Sequence, residues 1–273
     1  MRGSIVVIGM GICLVGGCSG SKGSPGSATA PGGTVSAVTV SLRDVVLVGT
    51  TAVATGTATL SNNQTQPVTT GWRSDAPAVA SVTDSGTVTG VSNGEASIIA
   101  ASGGREGAKR IRVAPNYAGS WQGMQIVTAC AATGDLAGAC DDGGSVIGQP
   151  FPIALTARQP GDLSVAGEFT VESMLFPTFN TQVTSDGAIA FEGTLTVEGV
   201  RAAVSWQMNS TENGRGTGTI REIYSAPGII SGEVTYDSDL SQFTRGAGLS
   251  MSSAGQASSR LANLRKRTTT PRR

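Results

Sequence analysis

Four cysteines and nineteen carboxylates are the residues with the most chemistry to offer in this 273-residue chain. Thiols at positions 13, 18, 130 and 140 can pair, ligate a metal, attack an electrophile or accept a covalent lipid. Carboxylates can act in pairs as acid and base. There is no His. That removes the commonest neutral-pH acid/base and the commonest metal ligand. It excludes Ser–His and Cys–His nucleophilic catalysis. No Gly-x-Ser-x-Gly, phosphate loop or dinucleotide fingerprint is present. Glu168, Glu192, Glu198, Glu222 and Glu233 are spread along the chain, and a glycosidase pair would need two of them to converge in a cleft. Asp135, with the Asp141-Asp142-Gly143-Gly144 run, carries oxygens suited to Ca²⁺, but the spacing is not that of an EF-hand loop. It reads as a solvated acidic turn. No catalytic residue, metal or cofactor is expected. Lys and Arg together also number nineteen, so the formal charge is zero, which argues against a general nucleic-acid binder.

The elements that must position these residues are short and extended. Gly numbers 39 and charged residues are only 14%, a composition of small cores, short strands and many turns. The first residues differ. Met1-Arg2 is positive, and Ile5 to Val15 is an apolar run about half the ~20 residues needed to cross a bilayer. Leu14-Val15-Gly16-Gly17-Cys18 follows and resembles a bacterial lipobox. The resemblance implies a signal peptide over residues 1–17 and a diacylglycerol thioether on Cys18 as the first mature residue. Acyl chains in pairs anchor stably where one chain does not. Residues 18–34 are rich in Gly, Ser, Ala, Pro and Thr, and read as a flexible tether.

Residues 35–115 alternate, with β-branched side chains and turn residues at Asp84-Ser85-Gly86 and Asn93-Gly94. About seven short strands are expected, as in a small β-sandwich. Alternation points Val79, Val82, Val88, Ile98 and Ala100 at one core, with Trp72 filling it and Arg73 and Asp75 in solvent. Trp72, Ser74, Val79-Ala80, Val82, Gly86, Val88, Gly90, Gly94, Ala96, Ile98 and Ala100 stand in the order W-x-S-…-V-A-x-V-…-G-x-V-x-G-…-G-x-A-x-I-x-A. This stretch resembles the bacterial Ig-like group 2 domain. The resemblance implies an Ig-like sandwich serving as a spacer or adhesive module.

Residues 116–245 read as roughly eight strands in an antiparallel meander, with turns at Pro160-Gly161-Asp162, Asp186-Gly187 and Asn213-Gly214. The fold class is therefore all-β, an Ig-like sandwich followed by an antiparallel meander barrel or sandwich. Gly119-x-Trp121-x-Gly123 loosely resembles the start of lipocalin-like barrels. That implies a cup for a small apolar or lipid ligand, with Trp121, Phe151, Phe169, Phe191 and Trp206 as its candidate lining; a packed core is the other reading of the same residues. With Cys13 removed and Cys18 acylated, Cys130 and Cys140 are left as a pair in an exported domain, and a disulfide is expected. Residues 246–273 are Ser-rich, then basic, and are expected to be largely disordered. The whole reads as a non-catalytic cell-envelope lipoprotein, held to the outer membrane or cell surface by its acyl groups. Its partners would be the membrane and a surface polymer or protein.

Overall fold

The computed structural model describes residues 32–141, 147–171, 174–211 and 213–246. Cys18, the signal peptide, most of the tether and the basic segment after Gly246 lie outside the described residues. What is described is all-β, with a single 3₁₀ turn at Gly134–Leu136.

Ten strands build the first unit: β1 (Val35–Ser41), β2 (Val45–Leu47), β3 (Thr51–Val53), β4 (Thr55–Leu60), β5 (Thr65–Val68), β6 (Trp72–Ser74), β7 (Ala80–Val82), β8 (Thr87–Gly90), β9 (Gly94–Ser102) and β10 (Arg105–Ala114). The sequence suggests seven; the surplus comes from three-residue strands at β2, β3 and β7, too short to show an alternating pattern. They form sheets of order β1-β4-β5, β2-β10-β9-β6 and β3-β8-β7. Val88, Ile98 and Ala100 are fully buried between them, with Val79 and Val82 partly buried at the margin. The Trp72 ring lies in that core, its edge against Gly56 and Gly86. Arg73 and Asp75 are exposed. Arg73 pairs with Glu106. Asp75 accepts from the Ser97 backbone N–H, which holds its carboxyl below the usual range and ties the end of β6 to β9.

The chain enters and leaves this unit at opposite ends. Val35 begins β1 beside Gly103, in the turn that precedes β10. Strand β10 then runs ten residues to Ala114, about 30 Å, and delivers the chain to the second unit.

That unit has eight strands: β11 (Gly119–Ala132), β12 (Pro150–Arg158), β13 (Ser164–Val171), β14 (Met174–Gln182), β15 (Ala188–Val197), β16 (Val200–Ser210), β17 (Arg215–Ser225) and β18 (Glu233–Arg245). They make one antiparallel sheet of order β14-β13-β12-β11-β18-β17-β16-β15. Its edge strands, β14 and β15, are neighbours in sequence. The sheet curls until they meet: Phe179 stacks on Phe191 with centroids 4.1 Å apart, and Thr181 Oγ1 donates to the Ala190 carbonyl at 2.6 Å. The result is a nearly closed barrel whose seam lacks a ladder.

Register shifts accompany the curvature, at Gln122/Met124 and Val127/Ala129 in the β11–β18 ladder, at Gly167/Phe169 in the β13–β14 ladder and at Gly216/Thr219 in the β17–β18 ladder. Bulges bend a strand and raise its local twist. Gly167 and Gly218 sit at two of them. A β-carbon there would lie 2.1 Å from the Thr156 carbonyl oxygen and 2.0 Å from that of Gln207, so no side chain fits.

Exposed large apolar residues among the described ones are scattered singly: Val53, Val91, Ile147, Leu175 and Ile229.

The barrel has two ends. The near end faces the Ig-like unit and carries the hairpin turns around residues 159–163, 183–187 and 211–214. The far end carries residues 133–141 and the turns at 198–199 and 226–232. There Cys130 bonds to Cys140, with Cα atoms 5.9 Å apart. The loop so closed, with nine residues between the cysteines, turns Leu136 and Ala139 into the core. Asp135 accepts from the Ser231 N–H and hydroxyl at 3.0 and 2.9 Å, fastening the loop to the opposite turn. Opening this loop by Cys130→Ala with Cys140→Ala is expected to cost about 2–3 kcal/mol, read as a lower urea midpoint.

Candidate functional site: the barrel interior and the domain joint

Alternation decides what enters the barrel. On β11 the odd residues Trp121, Gly123, Gln125 and Val127 point inward; on β17 the even residues Gly216, Ile220, Glu222 and Tyr224 do. The five candidate lining residues all arrive in one interior. Trp121, Phe151, Phe169, Phe191 and Trp206 are each 5% exposed or less. Four of them form a chain of rings with Phe243: Trp121 to Phe243 at 5.8 Å, Phe243 to Trp206 at 5.5 Å, Trp206 to Phe191 at 4.9 Å and Phe191 to Phe169 at 5.0 Å. Phe176 stacks on Phe169 at 4.7 Å. These distances are those of rings in mutual contact. These rings pack on one another, while Phe151 stands opposite Gln125 in the β11–β12 ladder.

The far half is different. Glu222 is fully buried. Its carboxylate accepts from Gln125 Nε2 and from the Tyr224 hydroxyl, each at 2.5 Å. Tyr236, opposite Glu222 in the ladder, packs edge-on against Tyr224. A buried carboxylate needs such donors, because leaving water costs it several kcal/mol. Gln125 Oε1, Ser238 Oγ and Trp206 Nε1 are buried without a hydrogen-bond partner. Each such atom costs on the order of 1–3 kcal/mol, which the aromatic packing must outweigh. The sequence lists Glu222 only as one of several scattered acids. Its inward place was readable from parity, since Ile220 and Tyr224 flank it at two-residue spacing in Ile220-Arg221-Glu222-Ile223-Tyr224.

Tyr117 closes the near end. It lies in the short link between the units and is fully buried. Its hydroxyl donates towards the carbonyls of Gly187 (2.7 Å) and Met208 (3.2 Å) and accepts from the Ser210 N–H at 3.1 Å. Its backbone N–H donates to Gln159 Oε1 at 2.7 Å, and its carbonyl accepts from the Trp121 indole at 2.8 Å. Burial pushes its phenol above the ordinary value. The link residue marks a domain boundary in the sequence, but nothing there shows that it would plug the barrel.

Arg112, near the end of β10, reaches across the joint. Its Nη2 donates to Asn93 Oδ1 at 3.0 Å and to the carbonyls of Thr184 and Ser185 at 3.0 and 2.7 Å. Leu47 and Ala114 of the Ig-like unit belong to the same apolar cluster as the barrel core. A cleft of about 400 Å³ opens beside the joint, lined by Asn93, Asn116, Ser210, Thr211, Asn213 and Arg245 among others. Among the described residues no group of three or more acids and thiols is placed to hold a metal ion.

Residues 34–113 match the family model of the bacterial Ig-like domain, group 2. No curated protein matches the chain. Among solved structures, it is similar to domains 4 and 5 of the S-layer protein SbsC, with 12% identity over 75% of this chain and 97% of that one and a TM-score of 0.26. Domains 5–6 of the same S-layer protein give 18% identity, the same two coverages and a TM-score of 0.25.

Two outcomes follow. Glu222→Ala removes the carboxylate that accepts from Gln125 Nε2 and the Tyr224 hydroxyl, and is expected to cost about 2–3 kcal/mol in urea unfolding, with Glu222→Gln costing less. Tyr117 favours its neutral form when folded. Its contribution is therefore present below the unfolded phenol value near pH 10 and is lost as pH rises towards the higher folded value. Stability measured against pH is expected to fall on the alkaline side, and Tyr117→Phe is expected to reduce that fall while lowering stability at neutral pH.

Proposed function

We propose that this is a non-catalytic envelope lipoprotein in which the bacterial Ig-like domain at residues 34–113 spaces a barrel away from a membrane anchor. Cys18 would carry the acyl groups through its sulfur, residues 18–34 would form the tether, and the barrel would be the distal, presented module. The observation that carries the reading is the passage of the chain through the Ig-like unit, in at one end beside Gly103 and out at the other along β10. A domain entered and left at opposite ends adds its whole length to the reach of whatever follows.

The rigid joint supports the same reading. Arg112, Tyr117 and the shared apolar cluster fix the barrel on the end of the spacer, where a flexible linker would let it fold back. The barrel interior is occupied by its own rings, so recognition of a surface polymer or protein falls to the outside and the loops. An interior packed this way disfavours a lipid cup.

The anchor is tested by labelling cells with an alkyne fatty acid while they express the full chain. Wild type is expected to carry the label and to accumulate as an unprocessed precursor when the lipoprotein signal peptidase is inhibited by globomycin. Cys18→Ser is expected to do neither. An unlabelled mature protein overturns the lipoprotein reading.

A further inference from the structure

Both units build the cleft of about 400 Å³ beside the joint. The Ig-like unit gives Val48 and Asn93, the link gives Pro115 and Asn116, and the barrel gives Asn213 and Arg245. A recess of this size between domains is a common place for a small ligand. Its walls are tied down. Arg112 holds Asn93, and the Tyr117 hydroxyl holds the Ser210 N–H. The cleft is therefore formed before anything enters it.

Its chemistry is one-sided. Asn93 Oδ1 accepts from Arg112, and Asn116 Oδ1 accepts from the Ala118 N–H, each at 3.0 Å. Each carbonyl is used within the fold, which fixes the amide and leaves its Nδ2 as a donor with no hydrogen-bond partner among the described residues. Arg245 adds a third donor group. Its stem packs over Gly119 and Gly214, and its guanidinium carbon lies 5.4 Å from the centre of the Trp121 ring. Of its five N–H donors, one reaches the Ala118 carbonyl, at 3.4 Å. Arg245 has no ion-pair partner among the described residues, and no carboxylate among them lines the cleft. Yet residues 116–245 hold fourteen acidic side chains and five basic ones. Acids are plentiful in this unit and are kept away from this guanidinium.

We propose that the cleft binds an acidic saccharide, with a uronate carboxylate on Arg245 and sugar oxygens on the amides of Asn93 and Asn116. A site that offers donors calls for a ligand made of acceptors. The planar guanidinium fork matches a carboxylate bidentately, and a fork already stacked on a ring loses little freedom on binding. Hydroxyl and ring oxygens of a sugar accept from amides, and Val48 and Pro115 give an apolar wall for the C–H face of the ring. A peptide fits less well, because its own N–H groups need acceptors. The inference rests on the reading of the barrel as the presented module, and adds where a surface polymer is held and what class it belongs to. The acyl anchor takes no part in the contact, so each can fail without the other.

The test is calorimetric titration of the full mature chain, from residue 18, carrying Cys18→Ser. The probes are trigalacturonate and a hyaluronan tetrasaccharide, with neutral galactotriose, triglutamate and inorganic phosphate as comparisons. At least one acidic saccharide is expected to bind about tenfold more tightly than every comparison, and less tightly as salt rises. Arg245→Gln is expected to weaken that binding about tenfold. Because Arg245 also packs on Trp121, a second variant avoids the core. Asn213 is exposed in the β16–β17 turn, and Asn213→Asp sets a carboxylate at the cleft. It is expected to weaken binding about fivefold by repulsion with the urea midpoint unchanged. Failure of both acidic saccharides to bind overturns the proposal. Equal binding of phosphate or triglutamate reduces the site to an anion or peptide site and overturns it as well. So does an Asn213→Asp variant that binds as tightly as wild type.

Discussion

One buried hydroxyl stands where the two units and the barrel's near end come together. The Tyr117 phenol bonds the carbonyls of Gly187 and Met208 and the amide of Ser210, so it ties the starts of β15 and the end of β16 to the interdomain link. The same residue's backbone holds Gln159 and Trp121. A strand turn buried without partners would cost dearly. Here the link residue supplies the partners itself, so barrel closure and domain docking share one set of hydrogen bonds. Arg112 adds a second strap to the neighbouring turn, where the Thr184 hydroxyl holds the Asp186 carboxyl below its usual range.

The barrel interior is divided by chemistry. A linked set of rings from Tyr117 to Phe176 fills much of it, with centroids 4.1 to 6.4 Å apart. The far part holds Glu222 with Gln125 and two tyrosines, under a loop closed by the disulfide. An aromatic stack needs only shape, whereas a buried carboxylate needs directed donors. The far end is therefore the more easily disturbed half, and it is the half that has the covalent closure. Polar satisfaction and the staple support each other there.

Much of this was legible beforehand, for reasons that differ from place to place. The Ig-like unit is legible because its glycines and alternating valines sit where turns and a single core demand them. The meander of eight is legible because three of its turns carry Gly with Asp or Asn, at Pro160-Gly161-Asp162, Asp186-Gly187 and Asn213-Gly214, and because long stretches of its strands alternate. The pairing of Cys130 with Cys140 follows from few thiols and an exported context. Three things were not legible. Strands of three residues show no period. The joint depends on Arg112 and Tyr117 meeting residues some seventy positions away, and no local pattern encodes that. Phe176, Phe179 and Phe243 join the interior stack through bulges that shift parity, which a strict alternation misreads.

The path of the chain through the Ig-like unit has a mechanical side. Pull applied between the residue before β1 and the barrel acts on the start of β1 and the end of β10. Strands β1 and β10 lie against each other, with Gly107 packed on the Val38 carbonyl, and β10 is laddered to β9 over nine residue pairs and to β2 in parallel. Force along these strands shears the ladders, loading many hydrogen bonds at once instead of peeling them singly. A unit strained in that direction resists extension through its unfolding rate more than through its equilibrium stability.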